Sequence, residues 1–222
     1  MNSMKKNITL YTFQKLFVWE NLCELGYYHP FFLDEVDTWL TQERKDGQWG
    51  FLPSYTWLKN KMNEKGITYE NNNSHLIWAW YQWNGLRKKA PDKRYSSVYD
   101  YFDTPYVMME LSIPRERVLL SDYDAWHFVL NYWYLEKAHK SNCFKKAYNF
   151  YRIKPNDTHM IHPVIDKSWE NIFDMKASRE ILQYPQKHQK IQATFFELFY
   201  TDVKKVHFFS NKRCTSMIEL PH

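Results

Sequence analysis

The chain has 222 residues, 19% of them aromatic, with 30 basic against 25 acidic side chains and a net charge of +5. That length suits one sizeable domain, and the mild positive balance is compatible with a polyanionic partner without being diagnostic of one. Only 5 glycines occur, and neither G-x-x-x-x-G-K-[ST] nor G-x-G-x-x-G is present, so the P-loop and Rossmann phosphate cradles lose their main warrant.

The opening MNSMKKNITLYTF has two lysines but no apolar run leading to a small-residue cleavage site. No stretch is long and apolar enough to cross a bilayer, so no membrane partner is expected. Cys23, Cys143 and Cys214 are odd in number and far apart. They give neither a disulfide framework nor zinc spacing, and a reducing cytoplasm fits best.

Residues 8–13 are a β-branched and aromatic run that predicts the first strand. Residues 16–25 predict an amphipathic helix with Leu16, Trp19, Leu22 and Cys23 on one face, stopped at Gly26. A short strand at 27–29 ends at Pro30. Residues 34–44 read as a helix with Val36, Trp39 and Leu40 inward, and DGQWG at 46–50 as a turn. Residues 54–65 read as a helix capped by Ser54 and stopped by Gly66, with Trp57, Leu58, Lys61 and Met62 sharing a side. Residues 71–74 are a polar loop.

LIWAWYQW, residues 76–83, is the strongest strand in the chain. Trp78, Trp80 and Gln82 alternate with Ile77, Ala79, Tyr81 and Trp83. Both faces are apolar, as in a central strand covered on both sides. Gln82, polar among tryptophans, is either a satisfied buried amide or a ligand contact. Residues 84–104, with NG and a basic cluster, form a long loop of the kind that is functional or mobile. Residues 106–113 read as the next strand, broken by Pro114, after which 116–120 resumes extended chain.

The segment RVLLSDYDAWHFVLNYWYL then predicts a buried strand, an N-cap at Ser121 and a very apolar helix. Trp126, Val129, Leu130 and Trp133 recur at helical spacing and face a core, while Asp124, His127 and Asn131 make a thin polar stripe. An isolated helical histidine is most often structural. Enclosed polar groups in an aromatic wall, however, also describe a ligand site, and this stripe is the leading candidate for chemistry. Beyond it, residues 137–146 are polar, and PNDTHMIHP at 155–163 is a loop whose histidines lack the spacing of metal ligands on one helix turn. Residues 168–175 read as a short helix with Trp169, Ile172 and Phe173 buried. Residues 192–199 and 203–209 read as strands, and the tail from Asn211 as loose. Irregular alternation without βαβ spacing predicts a single α+β domain with a central mixed or mostly antiparallel sheet packed by helices, its ordered core spanning about 8–209.

Taken together, TLYTFQ, PSYTWL, IWAWYQW, VLLSDYDAWHFVLN, SWENIFD and IQATFFEL resemble a bacterial family known as domain of unknown function 3841. The order of elements is also similar to the ADP-ribosyltransferase fold, in its DNA-modifying toxin branch. That resemblance implies binding of nicotinamide adenine dinucleotide (NAD) by an early-strand His or Arg and a late-strand Glu. The matching early position here is Thr12, with Gln14 beside it. The late one, after Gln192 and Ala193, is Thr194, with Glu197 the nearest carboxylate. Thr194 cannot supply the negative charge that a developing oxocarbenium ion needs, and Glu197 faces the other side of an ideal strand unless a bulge re-aims it.

Three functions follow as alternatives. An ADP-ribosyltransferase-like enzyme would use Glu197 to stabilise charge and His127 or Asp124 as a base, with Trp80, Tyr81 and Gln82 lining the cleft. A nucleotide or nucleic-acid binding module would stack bases on aromatic faces and contact phosphate from the 87–94 loop. An interaction protein would keep its aromatics in the core. The discriminating features are where Glu197 points and whether Asp124, His127 and Gln82 share one cleft.

Overall fold

The computed structural model describes residues 6–30, 51–69, 75–87, 91, 105–136, 163–210 and 213–221. The expected helix at 34–44, the turn at 46–50, the loop at 71–74, most of the 84–104 connection, and residues 137–146 and 155–162 lie outside these.

The fold is α+β, as the pattern of elements predicts. Its strands are β1 (Asn7–Lys15), β2 (Tyr27–Tyr28), β3 (Ile77–Trp83), β4 (Leu86–Arg87), β5 (Tyr106–Pro114), β6 (Leu119–Asp122), β7 (Ile191–Phe195), β8 (Leu198–Phe199), β9 (Val203–Ser210) and β10 (Arg213–Glu219). Its helices are α1 (Leu16–Leu25), α2 (Leu52–Glu64), α3 (Tyr123–Leu130), α4 (Pro163–Trp169) and α5 (Met175–Leu182). The main sheet runs β10-β9-β5-β1-β3-β7-β6, with β4 attached to β3, and β2 pairs with β8 separately. Every described pairing is antiparallel.

Successive strand residues point to opposite faces, so an all-apolar strand must be covered twice. β3 is. Ile77 and Ala79 join a cluster with Leu10, Val107, Phe195 and the α1 residues Val18, Trp19 and Leu22. Trp78 packs against a second cluster built from α2, α3 and α4, including Trp57, Leu58, Trp126, Val129 and Trp169. α1 stops at Gly26, whose φ of 80° is the left-handed cap that glycine adopts without strain.

Several local expectations are corrected. Cys23 is exposed, and Val18 takes its place on the buried face of α1. Ser54 does not cap α2; it lies inside the helix, buried, and its Oγ donates to the Val129 carbonyl at 2.9 Å. Residues 168–175 do not form one helix. α4 ends at Trp169, a 3-10 turn follows over Glu170–Phe173, and Asp174 caps a new helix, α5, by accepting from Lys176 N and Ala177 N. Residues 213–219, within the tail expected to be loose, form β10, which pairs with β9 from Arg213↔Ser210 to Glu219↔Lys205.

β3 turns into β4 through Asn84 (φ 46°) and Gly85 (φ 71°), the two positive values of a type I′ hairpin. Gly85 N donates to the Gln189 carbonyl at 2.8 Å. A Cβ on Gly85 would stand 2.8 Å from the Gln186 carbonyl oxygen and from Lys187 Cα. Gly85→Ala is therefore expected to cost about 1–3 kcal/mol in urea unfolding, from left-handed strain and backbone overlap together. An unchanged midpoint would mean that the 186–189 turn yields freely.

One break in the sheet positions the site. β1 keeps nine register pairs with β5, from Asn7↔Pro114 to Lys15↔Tyr106, but only Tyr11↔Trp80 with β3. Beside that pair Thr12 Oγ1 donates to the Trp78 carbonyl at 2.7 Å, so a side chain takes up an acceptor that a continuous ladder would give to a backbone N–H. The two central strands part at this point.

Candidate functional site: a cleft where the central strands part

The parted strands open into a cleft of about 460 Å³. Phe13 and Gln14 of β1, residues 76–80 at the start of β3, Tyr123, Trp126, His127 and Leu130 of α3, and Gln192 of β7 line it. Tyr28, Pro30 and Tyr55 complete the wall. Volume and composition are those of a small-molecule site, apolar with a few convergent polar groups.

Aromatic rings form the walls. Trp80 and Tyr123 lie 4.9 Å apart between centroids, Trp78 and Trp126 5.4 Å, and Tyr55 meets both Trp78 and Trp126 edge-on. Burial pushes the Tyr55 phenol up to about 12. Burial, aided by Asp124, raises Tyr123 as well, so both rings stay neutral donors at ordinary pH.

Three polar side chains enter this wall. His127 is exposed, its ring edge-on to Tyr123 at 4.7 Å, with Nδ1 2.9 Å from the Tyr123 carbonyl oxygen. A carbonyl only accepts, so Nδ1 carries a proton in this contact, and Nε2 is left outside it. Gln192 is buried in the floor and donates through Nε2 to Ser121 Oγ at 3.1 Å. Gln14 donates through Nε2 to Thr12 Oγ1 at 2.9 Å. Of the side chains expected from sequence to form a site, the structure brings Gln14, Trp80, His127 and Gln192 together.

The others stand elsewhere. Asn131 follows α3 as its C-cap, and its Nδ2 donates to the His127 carbonyl at 2.7 Å. Asp124 lies in the first turn, 3.8 Å from Lys190 Nζ. Burial and Asp122 hold its carboxyl above the usual aspartate range, against the pull of Lys190 and His127. The stripe thus separates because α3 has only 8 residues, and one of its three members falls past the end. The register of β3 on β7 slips between Trp80 and Gln82. Gln82 consequently leaves the tryptophan face and donates to the Gln189 carbonyl at 3.3 Å. Tyr81 packs toward the α1 cluster and carries the Arg87 guanidinium 3.8 Å from its ring centroid. Thr12 and Thr194 are buried and bonded to the Trp78 and Leu119 carbonyls. Glu197 is not on β7, which ends at Phe195; it sits in the bend before β8, where its carbonyl accepts from Arg117 at 3.0 Å. Trp133, expected in the core, is 50% exposed.

The residue that sequence reading missed is Asp122. Ser121 does not cap α3; it sits on β6 beneath Gln192, and Asp122 is the N-cap. Asp122 is fully buried, and its Oδ1 accepts from Asp124 N and Ala125 N, both at 3.1 Å. Its Oδ2 accepts from Ser178 Oγ at 2.9 Å, from Gln189 Nε2 at 3.1 Å and from the Tyr184 hydroxyl. Burial and this carboxylate hold the Tyr184 phenol far above the ordinary tyrosine range. Serine and aspartate rank alike as caps, so only these tertiary donors decide between them.

Among the described residues no group of three or more His, Cys, Asp or Glu is arranged to hold a metal, and no helix is long and apolar enough to cross a membrane.

Fold and site together define an α+β protein with an aromatic cleft opened in the middle of an antiparallel sheet. The chain belongs to the family described as Domain of unknown function (DUF3841), whose model matches residues 9–204. No curated protein and no solved structure matches it.

Proposed function

We propose that the cleft binds a nucleotide, in a protein of bacterial cytoplasmic type, with NAD the particular ligand that the likeness to ADP-ribosyltransferases implies. The observation that carries this reading is the parting of β1 and β3 into an aromatic-walled cleft entered by Gln14, His127 and Gln192. A planar base or a nicotinamide ring stacks on Trp80 or Tyr123, and amide and imidazole edges supply hydrogen bonds of both senses. These residues fit the ring-and-amide portion of NAD.

Binding is better supported than transfer. Among the described residues that line the cleft there is no carboxylate, and Glu197 lies outside them. A developing oxocarbenium ion would have no anionic partner in that lining. The open aromatic walls also favour a ligand over an interaction protein whose rings are all core.

The test is calorimetric titration of NAD, AMP and nicotinamide mononucleotide into the parent, Trp80→Ala and His127→Ala, with chemical denaturation as a folding control. The parent is expected to bind at least one of the three. Trp80→Ala should weaken that binding by about 1–3 kcal/mol, the range of one base–aromatic stack. His127→Ala should weaken it while leaving stability within about 1 kcal/mol, since the ring is exposed. Absence of any binding to the parent, or undiminished affinity in both variants, would overturn the reading.

A further inference from the structure

We infer that Lys190 forms a phosphate position beside the cleft, so that the ligand is a nucleoside phosphate rather than a free base or nucleoside. This rests on the cleft being the ligand site and adds to it the charge of the ligand.

Lys190 immediately precedes β7, and its carbonyl accepts from Tyr123 N at 3.0 Å. Its ammonium stands 5.4 Å from the centroid of the Tyr123 ring, which walls the cleft, and 5.6 Å from that of Trp83. Trp83 in turn meets Trp80, another wall residue, at 4.8 Å. A ligand stacked on Tyr123 therefore has this ammonium beside the ring it stacks on, although Lys190 is not itself among the residues lining the cleft.

The ammonium is held but not used up. Its contact with Asp124 Oδ1, at 3.8 Å, is an ion pair too long to be a hydrogen bond. An ammonium has three N–H donors to place. The indole N–H of Trp83 is buried and has no acceptor among the described residues. The Lys190 ammonium and the Trp83 indole N–H are thus two donors that can take an acceptor, beside the Asp124 carboxylate.

The backbone that carries Lys190 is fixed from three sides. The Gln189 carbonyl accepts from Gly85 N at 2.8 Å and from Gln82 Nε2 at 3.3 Å. The Gln189 side chain donates to Asp122 Oδ2 at 3.1 Å and to the Met175 carbonyl at 2.7 Å. Gln82 is accordingly a positioning residue for this turn. A cation on a pinned backbone binds an anion with less ordering cost than one on a free loop.

The experiment compares each nucleoside with its own monophosphate: adenosine with AMP, and nicotinamide riboside with nicotinamide mononucleotide, by calorimetry at low and high sodium chloride. In the parent the monophosphate of the binding pair should be favoured by about tenfold, the low end for a hydrogen bond to a charged group, and salt should shrink the ratio. Lys190→Met keeps the apolar stem and should bring the ratio to about one, whereas Lys190→Arg should keep most of it. Equal affinity of nucleoside and monophosphate in the parent, or an undiminished ratio in Lys190→Met, overturns this inference and leaves the cleft reading standing. If no member of either pair binds the parent, the cleft reading itself fails and this one with it.

Discussion

Replacing Asp122 by alanine is expected to destabilise the fold by about 3–5 kcal/mol in urea unfolding. The carboxylate serves the first turn of α3 and three side chains of the 175–189 region at once. Loss of an N-cap alone costs about 0.5–2 kcal/mol. Each buried donor left without an acceptor adds about 1–3 kcal/mol, though neighbours in one network do not add in full. Ser178 and Gln189 are buried and cannot turn to water without moving α5 or the 186–190 turn. Asp122→Asn should recover part of the loss, because an amide oxygen still accepts while the amide nitrogen faces donors. A midpoint for Asp122→Ala like the parent's would mean that these donors find other acceptors.

Trp169→Ala is expected to cost a similar amount, about 3–5 kcal/mol, as large-to-small changes of buried aromatics do. Trp169 is fully buried at the end of α4 and meets Trp57 edge-on at 5.4 Å. Its indole nitrogen donates to the Trp133 carbonyl at 2.8 Å, tying the chain after α3 to α4. Alanine would leave both a cavity and an unmatched carbonyl. Trp80→Ala should cost clearly less, because that ring is only half-buried and faces the cleft. Thermal or urea unfolding of the two variants side by side checks the ordering, and equal losses would place Trp80 in the core.

Much of the fold is legible in single segments. Residues 76–83 are apolar on both faces, which leaves a doubly covered strand as the natural solution, and helix 16–25 ends where Gly26 follows it. Features that depend on other parts of the chain are not legible. Ser121 and Asp122 are equally good caps until Ser178, Tyr184 and Gln189 converge on one of them. Strict alternation puts Gln82 beside Trp80, and only the register slip against β7 turns it away. RCTSMIE has little apolar alternation, so β10 is visible only as the partner of β9. The candidate site is legible to the same degree. His127 and Trp80 stand out as polar or aromatic residues on strong elements, Gln14 and Gln192 enter only through the likeness to ADP-ribosyltransferases, and the four line one cleft. The gap that gathers them lies beside a threonine hydroxyl bonded to a strand carbonyl, which no local pattern announces.

Amide hydrogen exchange with and without the tightest-binding nucleotide tests the central claim most directly, because it reports where the ligand sits. Binding in the cleft should slow exchange at residues 13–14, 76–80 and 123–130, on both sides of the parted strands. It should leave the depression around Lys61, Glu170 and Asp174 unchanged. Protection confined to that depression, or to the β9–β10 edge, with the cleft segments unaltered at saturating nucleotide, would contradict it.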